Sequence, residues 1–356
     1  MRPELACESC GKVCDPLDWH CEGARLRIAN LPPYDHALRD RQTWGLWRFA
    51  AMLPATRRIS LGAGGTPLVP VTLAGHAFHA KLEYCNPTGS FKDRGTELMV
   101  NHFLAQGADA LVEDSSGNAG ASLAAYCAAA GIQARIFAPA SAPAAKLAHI
   151  RAYGADLVTV PGPRQAAADA CLAAAETAVY ASHAWSPFFV AGQMTCAWEI
   201  CEQVGAPDVV LCCAGHGGLF SGLARGFRAL QDAGRIERLP RMVVAQAAGC
   251  DPLVRAWESG LDETSAMTPA ASVADGIAVA QPVHGAEILR VLRETGGAAL
   301  RVNDEQILAA QQLLWRQGLL AEPTSAVPVA ALLSGQLALT GRIVIPLTGS
   351  GLKLLA

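Results

Sequence analysis

The chain has 356 residues, a net charge of −3 and 51% apolar residues. It is longer than one hydrophobic core usually supports, so we expect two domains that share a cleft. Acidic and basic residues are nearly balanced, which excludes a basic surface for nucleic acid and a polybasic face for a membrane. No run approaches the roughly 18 apolar residues of a membrane span, and residues 1–5 do not begin a secretory signal. We therefore expect a cytoplasmic protein that acts on a small molecule.

Residues 1–40 differ from the rest of the chain, because they show little periodicity and contain four of the twelve cysteines. The segment Cys7–Gly11 resembles one zinc knuckle, but no cysteine follows Cys21 at the matching spacing. We interpret this segment as a degenerate, zinc-ribbon-like N-terminal extension and expect no bound metal. The only candidate ligands are Cys7, Cys10, Cys14 and Cys21. Other cysteines lie in apolar runs, where we expect reduced thiols.

From Ala77 onward, short apolar runs alternate with helical patterns, and several of the helical patterns end near a glycine. This alternation predicts parallel sheets covered by helices. The predicted strands lie near residues 77–84, 110–113, 134–138, 157–160, 209–213, 242–246 and 343–345. The predicted helices lie near residues 119–130, 144–153, 164–178, 192–204 and 218–231.

The segment Asn86–Gly95 is a turn sequence followed by a helical pattern, with Lys92 in the first helical turn. The positive end of the helix dipole and burial beside Phe91 disfavour a charged amine there, and a neutral amine can attack an aldehyde. The alternative is an exposed lysine paired with Asp93.

Three further loops follow predicted strands. Residues 114–120 offer N–H groups, hydroxyls and an amide to a substrate carboxylate, although a serine or Asn118 can equally cap the next helix. Residues 213–219 are rich in glycine and open a helix, which suits a phosphate, close packing or a nucleotide. Thr348 follows the last strand, at the end where ligands bind α/β sheets.

In this order, the segments resemble the fold-type II pyridoxal-phosphate (PLP) enzymes, which include threonine synthase, threonine and serine dehydratases and cysteine synthases. Residues 64–68 and 322–326 extend the resemblance over nearly the whole chain. It implies a tryptophan synthase β-like α/β fold, with two parallel-sheet domains and the cofactor in the cleft. The large cofactor-binding domain would comprise residues 41–84 and 186–356, and the small substrate-side domain residues 85–185. A homodimer is also expected.

The resemblance also implies roles for individual residues. Lys92 would form the Schiff base with the cofactor and act as general base, and Ser116 would be a second catalytic residue that moves a proton on the opposite face. Asn118 would contact the cofactor's 3-hydroxyl and Thr348 its pyridine nitrogen. The cofactor phosphate would be held by Gly215, His216, Gly217, Gly218 and Leu219. The substrate would contact Ser115, Ser116, Gly117, Ala119 and Gln193.

The sequence departs from threonine synthase where that enzyme recognises a substrate phosphate. Phe189 stands at the position of its arginine, Met194 at that of its lysine and Leu219 at that of an asparagine. Each lost charge-assisted contact to a dianion should cost on the order of 1.5–3 kcal/mol. We therefore predict a PLP-dependent lyase or synthase that eliminates or replaces a group on a small, unphosphorylated amino acid of the serine or threonine type.

Three alternatives remain open from the sequence. One is threonine synthase proper, which converts O-phosphohomoserine to threonine and phosphate. The second is a catalytically silent PLP-binding or regulatory protein, against which Lys92, Ser116, Asn118 and Thr348 argue. The third is a dinucleotide-binding dehydrogenase, against which the absence of a glycine fingerprint after the first strand argues.

Overall fold

A computed structural model describes residues 2–355. Residues 1 and 356, at the ends of the predicted domain ranges, lie outside the described residues. Contacts divide the chain into two compact units. The first unit comprises the chain up to Gly65 together with Asn86–Gly192, and the second comprises Thr66–Cys85 together with Gln193–Leu355.

The strands and helices alternate along the chain as the apolar runs predict. The strands are β1 Leu5–Cys7, β2 Val13–Cys14, β3 Leu26–Ile28, β4 Leu68–Leu73, β5 His76–Lys81, β6 Ala110–Glu113, β7 Gln133–Pro139, β8 Asp156–Val160, β9 Val179–Tyr180, β10 Val209–Cys213, β11 Arg241–Ala247, β12 Ala298–Val302 and β13 Ile343–Pro346. The helices are α1 Lys92–Ala105, α2 Asn118–Ala130, α3 Ala144–Ala152, α4 Arg164–Ala174, α5 Pro187–Val204, α6 Gly218–Asp232, α7 Pro252–Glu258, α8 Gly285–Glu294, α9 Asp304–Arg316 and α10 Pro323–Leu333.

The first unit is built on four parallel strands in the order β8-β7-β6-β9. Helix α2 connects β6 to β7, and it stops where Gly131 adopts a left-handed conformation with φ of 69°. A separate antiparallel ribbon in the order β2-β1-β3 precedes this sheet in the chain. Because all four sheet strands run in the same direction, the loops that follow them emerge at one edge of the sheet.

The second unit contains a six-stranded sheet in the order β12-β11-β10-β13-β5-β4. Its strands are parallel except for the hairpin of β4 and β5. Strand β10 is buried along its whole length at the centre of the sheet, as its uninterrupted apolar sequence predicts. The core continues into α10, whose residues Ala326 and Val327 are fully buried.

The contact division differs from the sequence-based domain bounds at residues 41–65. These residues belong to the first unit because they bond to the side chain of Glu97 on α1. The Trp47 indole donates to Glu97 Oε1, and the backbone N–H of Ala63 donates to Glu97 Oε2 at 3.2 Å. Residues 2–40 also belong to this unit, since Pro16 O lies 2.8 Å from His102 Nε2 on α1.

A buried lysine stabilises the second unit. The Lys81 side chain is fully buried, and its Nζ donates to Thr66 O at 2.7 Å, Glu199 Oε2 at 2.8 Å and Gln203 Oε1 at 3.0 Å. Glu199 is equally buried. The pair therefore depends on mutual compensation, because neither charge is in contact with water.

We expect Lys81→Met to lower the free energy of unfolding by about 3–5 kcal/mol, because it strips the cation from a buried carboxylate. The matched control is Arg238→Met, which removes an exposed ion pair with Asp208 and should cost at most about 1 kcal/mol. Urea unfolding of both variants measures the difference. Equal losses in the two variants would contradict this assignment.

Candidate active site

Lys92 is the first residue of α1, and its side chain is half-buried. Its Nζ lies 4.8 Å from the centroid of the Phe91 ring and 5.6 Å from that of Phe189. Asp93 is buried, and its carboxylate accepts hydrogen bonds from the Thr88 hydroxyl and the Ser122 hydroxyl, each at 2.6 Å. The arrangement differs from an exposed Lys92–Asp93 pair, since Asp93 is bonded within the unit and Lys92 lies against two aromatic rings.

Phe189 reaches this position because α1 and the first turns of α5 approach closely. A Cβ on Gly95 would overlap with the Phe189 ring, and one on Gly192 would overlap with the carbonyl of Arg94. Glycine at both positions therefore permits the contact. The Phe189 side chain is buried. The environment of the lysine on this side is apolar.

The loop that follows β6 contains the residues predicted to bind the substrate carboxylate. Ser115, Ser116 and Gly117 are half-buried, and α2 begins directly afterwards at Asn118. The N-cap position of α2 is Gly117, where no side-chain hydrogen bond caps the helix. A Cβ on Gly117 would meet open space. The first turn of α2 thus keeps backbone N–H groups for an anion.

A buried acid–base pair that the sequence did not reveal lies beside this loop. Glu113 ends β6, and His183 follows β9, the neighbouring strand. The His183 imidazole Nδ1 is hydrogen-bonded to Glu113 Oε1, and the His183 backbone N–H donates to the same oxygen at 3.3 Å. The His183 ring centroid lies 6.0 Å from that of Phe189. Lys92 and this pair therefore flank the same aromatic ring.

Burial decides the protonation of the pair. It raises the pKa of Glu113 to about 8, and the negative charge of Asp114 acts in the same direction. Burial also holds the pKa of His183 well below its usual range, with the charge of Lys92 as a further cause. At neutral pH the carboxyl group therefore carries the shared proton and the imidazole is neutral.

Asp114, the next residue, has different partners. Its Oδ2 lies 2.8 Å from Arg164 Nη1, and the hydroxyl of Tyr180 donates to its Oδ1. The two adjacent acids therefore differ in charge compensation. Asp114 has a cation, whereas Glu113 shares a proton with an imidazole.

The glycine loop of the second unit connects β10 to α6. Gly217 has φ of 97° and serves as N-cap of α6 without a side-chain cap. A Cβ on Gly215 would lie about 3.1 Å from the Cα of Ile277, so a larger residue would displace the loop. The backbone N–H of His284 donates to His216 O at 3.0 Å. His216 and Gly218 are half-buried and Leu219 is buried.

Thr348 follows β13 in the second unit and is buried. Its Oγ1 lies 2.9 Å from the Oγ of Ser325, the third residue of α10. Ser325 Oγ also accepts from the backbone N–H of Gly349 at 2.8 Å. The nearby carboxylate of Glu322 lies 2.6 Å from Lys353 Nζ. Thr348 therefore presents a neutral hydroxyl that Ser325 holds in position.

The predicted site residues fall on both units. Lys92 and the residues from Ser115 to Ala119 belong to the first unit. Gln193, the residues from Gly215 to Leu219 and Thr348 belong to the second unit. Gln193 is buried on α5, and so is Met194. Within each unit, the predicted residues share the loops that follow parallel strands, apart from those on α1 and α5.

In the N-terminal ribbon, the structure separates the four candidate cysteines. The Sγ atoms of Cys7, Cys10 and Cys21 all lie within 4.8 Å of one another. Cys14 is not part of this group, and its Sγ lies 3.5 Å from Lys12 O. All cysteines of the described chain are free thiols, as expected.

Among the described residues, no helix is both long and apolar enough to cross a membrane.

Comparison with known proteins identifies relatives over most of the chain. The profile of the family described as "Pyridoxal-phosphate dependent enzyme" matches residues 59–349. The chain is 34% identical to threonine synthase of Methanocaldococcus jannaschii, in an alignment that covers 98% of this chain and 92% of that protein. It is 35% identical to threonine synthase of Mycobacterium tuberculosis H37Rv, with 83% of each protein covered.

Two solved structures resemble the fold. Maize serine racemase superposes with a TM-score of 0.71 and 25% identity, covering 82% of this chain and 90% of that one. A bacterial-type threonine deaminase, from the source abbreviated T.th., superposes with a TM-score of 0.69 and 29% identity, covering 80% of this chain and 92% of that one.

The raised pKa of Glu113 has a consequence for stability. Between its ordinary value of 4.5 and about 8, the folded chain keeps a proton that the unfolded chain has lost. Its contribution to stability is therefore present at low pH and lost as the pH rises through about 8. Glu113→Gln mimics the protonated carboxyl and should remove this loss. Both proteins keep His183, whose opposite effect at low pH is common to them.

We expect the stability of Glu113→Gln relative to the unchanged chain to rise by more than about 1 kcal/mol between roughly pH 5 and pH 8.5. Denaturant unfolding at the two pH values measures it. Asp114→Asn is the control, because Asp114 is paired with Arg164 and should show no such rise. A relative stability that stays constant with pH would mean that Glu113 is ionised in the folded chain.

Proposed function

The chain belongs to the family of pyridoxal-phosphate-dependent enzymes, and we propose that it eliminates or replaces a group on a small, unphosphorylated L-amino acid of the serine or threonine type. Membership confirms the PLP cofactor, the fold-type II α/β fold and the lyase or synthase class expected from the sequence. The substrate, the roles of individual residues, the homodimer and the cytoplasmic location remain proposals.

Buried polar atoms in both units are consistent with a bound cofactor. Within residues 2–355, the hydroxyls of Ser90 and Ser221 are buried without a hydrogen-bond partner. Ser90 lies two residues before Lys92, and Ser221 lies in the first turn of α6. Uncompensated buried hydroxyls are costly, and a ligand with phosphate and hydroxyl groups can satisfy them.

The residues that would hold the cofactor follow from this arrangement. Lys92 Nζ would bind its aldehyde carbon, Asn118 its 3-hydroxyl and Thr348 its pyridine nitrogen. The loop from Gly215 to Leu219 would bind its phosphate with backbone N–H groups and the positive end of α6. When bound, PLP supplies an electron sink for the negative charge that develops at the substrate's α carbon.

Residues of the first unit would carry out the proton transfers. Lys92 Nζ, in its apolar environment between Phe91 and Phe189, is suited to take the proton from the α carbon as general base. The uncapped first turn of α2, with Ser115 and Gly117, would orient the substrate carboxylate. The Ser116 hydroxyl would move a proton on the opposite face.

One observation supports an unphosphorylated substrate above others. Phe189, the residue at the position of a phosphate-binding arginine in threonine synthases, lies buried against Gly95 with its ring 5.6 Å from Lys92 Nζ. An aromatic ring offers no donor to a phosphate dianion. Met194 contributes a second apolar side chain where those relatives have a lysine. The cationic contacts that a phosphorylated substrate needs are thus replaced by apolar ones.

Threonine synthase proper is the second candidate. It is favoured by the 34% identity to the enzyme of Methanocaldococcus jannaschii along almost the whole chain. The two candidates differ in the leaving group. A spectral titration of the PLP-loaded chain with L-serine, L-threonine, O-acetyl-L-serine and O-phospho-L-homoserine separates them, with assays for keto acid and inorganic phosphate.

We expect the absorbance of the bound cofactor to respond to an unphosphorylated amino acid, and O-phosphohomoserine to release phosphate at least about tenfold more slowly than the best substrate reacts. Phe189→Arg should raise the rate on O-phosphohomoserine, because it restores a cation, whereas Phe189→Leu should not. A response to O-phosphohomoserine alone would establish threonine synthase. No turnover of any of these amino acids would favour a silent PLP-binding protein.

Lys92→Ala should lower turnover by at least about a thousandfold, because it removes both the attachment point and the general base. Borohydride reduction followed by peptide mapping should label residue 92 in the unchanged chain and leave the variant unlabelled. Lys146→Ala, on α3, is the control that keeps both properties. Label at the same peptide in Lys92→Ala would assign the attachment to another residue.

A further inference from the structure

We propose that Cys7, Cys10 and Cys21 form a three-thiolate site for Zn²⁺ whose fourth coordination position, at Ala24, is open to an exchangeable ligand. This site belongs to the N-terminal ribbon and is independent of the proposed reaction. The proposal rests on the positions of the three sulfur atoms and on the two turns that carry them.

The sulfur atoms are close enough to bind one ion. Their mutual distances are all within 4.8 Å. Four thiolates around Zn²⁺, with Zn–S of about 2.3 Å, lie about 3.8 Å from one another. An inward shift of at most about 1 Å would therefore complete three of the four bonds. Thiolates select soft or borderline d¹⁰ ions, and Zn²⁺ is the divalent one.

The first turn presents two of the thiols. Cys7 ends β1, Cys10 follows three residues later, and Gly11 closes the turn with φ of 75°. The Gly11 N–H donates to Cys7 O at 3.1 Å. Backbone N–H groups of Cys10 and Ser9 also point at the Cys7 sulfur and lower its pKa to about 7. The turn thus favours the anionic sulfur that a metal requires.

The second turn has the same spacing but only one thiol. Cys21 and Ala24 form a bridge in which each backbone N–H donates to the other's carbonyl, at 3.0 and 2.9 Å. Gly23 has φ of 81°. Ala24 therefore stands three residues after Cys21, as Cys10 stands after Cys7, and its methyl group cannot bind metal. Other donors nearby are engaged, since His20 Nδ1 accepts from Gly23 N–H at 3.2 Å.

The open position makes the site exchangeable. Cys10 is exposed, so solvent, a small anion or a thiol has access to the cluster. Three protein ligands with one external ligand is the coordination that leaves zinc able to exchange its fourth partner. On binding, each protonated thiol releases its proton to solvent and the sulfur becomes a thiolate ligand. No electron transfer is involved.

The ribbon contacts the sheet through the segment between Cys14 and Cys21. The Trp19 ring lies 5.1 Å from the Tyr180 ring and 5.4 Å from the Trp185 ring. Tyr180 in turn donates to Asp114, the residue before Ser115. A metal at Cys21 would fix the end of this segment.

The first experiment measures zinc in the full-length chain, purified under reducing conditions, reconstituted with Zn²⁺ and freed of excess metal. We expect about one zinc per chain. Cys10→Ser should lose at least about nine-tenths of it, whereas Cys14→Ser and Cys85→Ser, the controls for a ribbon cysteine outside the cluster and an exposed cysteine elsewhere, should retain it. Equal zinc in Cys10→Ser and the unchanged chain, or equal loss in Cys14→Ser, would overturn the three-thiolate assignment.

The second experiment tests the open position. Replacing zinc with Co²⁺ should give thiolate-to-cobalt charge-transfer absorption, which is absent if thiols do not bind the metal. Ala24→Cys should strengthen this absorption and slow zinc release to EDTA at least about tenfold, because it adds a fourth thiolate. Unchanged release from Ala24→Cys would mean that the fourth position lies elsewhere, and absent charge transfer in a folded, unchanged chain would overturn the site itself.

Discussion

Parallel pairing of β6 with β9 fixes the chemistry of the first unit, because it brings the residues that follow both strands to one edge of the sheet. Leu111 pairs with Val179 and Val112 with Tyr180, and the Ala181 N–H continues the ladder to Val112 O at 2.9 Å. Glu113 therefore meets His183, and Asp114 meets Tyr180. The loop with Ser115 and Ser116 starts from this point. Its position depends on how these buried acids are satisfied.

The second constraint is the close approach of α1 and α5. Gly95 and Gly192 leave room for a ring and a carbonyl group, respectively, and the Phe189 ring occupies the space beside Lys92. A dry, aromatic environment disfavours an ammonium ion relative to water. The same ring that favours a neutral, reactive lysine also excludes a cation for substrate phosphate. Reactivity and specificity therefore share one side chain.

Much of the fold was predictable because its local signals agree with its tertiary structure. The runs at 110–113 and 209–213 coincide with β6 and β10, since buried parallel strands are continuously apolar. Helix α5 begins at Pro187, earlier than the predicted residue 192, because proline is compatible with a first helical turn. The two-residue strand β9 carries too short a pattern to be recognised. Strand β12, with Arg301 among its apolar residues, was also missed.

The candidate site was predictable only where its residues form local motifs. Lys92, the loop at Ser115 and the glycine loop are each contiguous in sequence. The Glu113–His183 pair joins residues 70 positions apart, and no spacing rule relates them. The cysteine cluster failed for the converse reason. Spacing suggested an incomplete ribbon without metal, whereas the strands bring Cys21 to Cys7 and leave Cys14 outside.

The two units supply different kinds of group to the proposed reaction. The first has groups that move or hold protons, namely Lys92, Ser116 and the Glu113–His183 pair. The second offers backbone N–H groups and the hydroxyl of Thr348, while the carboxylate of Glu322 is engaged by Lys353. A neutral hydroxyl does not require a protonated pyridine nitrogen, so the ring withdraws electrons less strongly. Such a ring suits a reaction in which a departing β or γ substituent removes the negative charge from the substrate. The second unit thus favours elimination, and Phe189 in the first unit then decides which leaving group can bind.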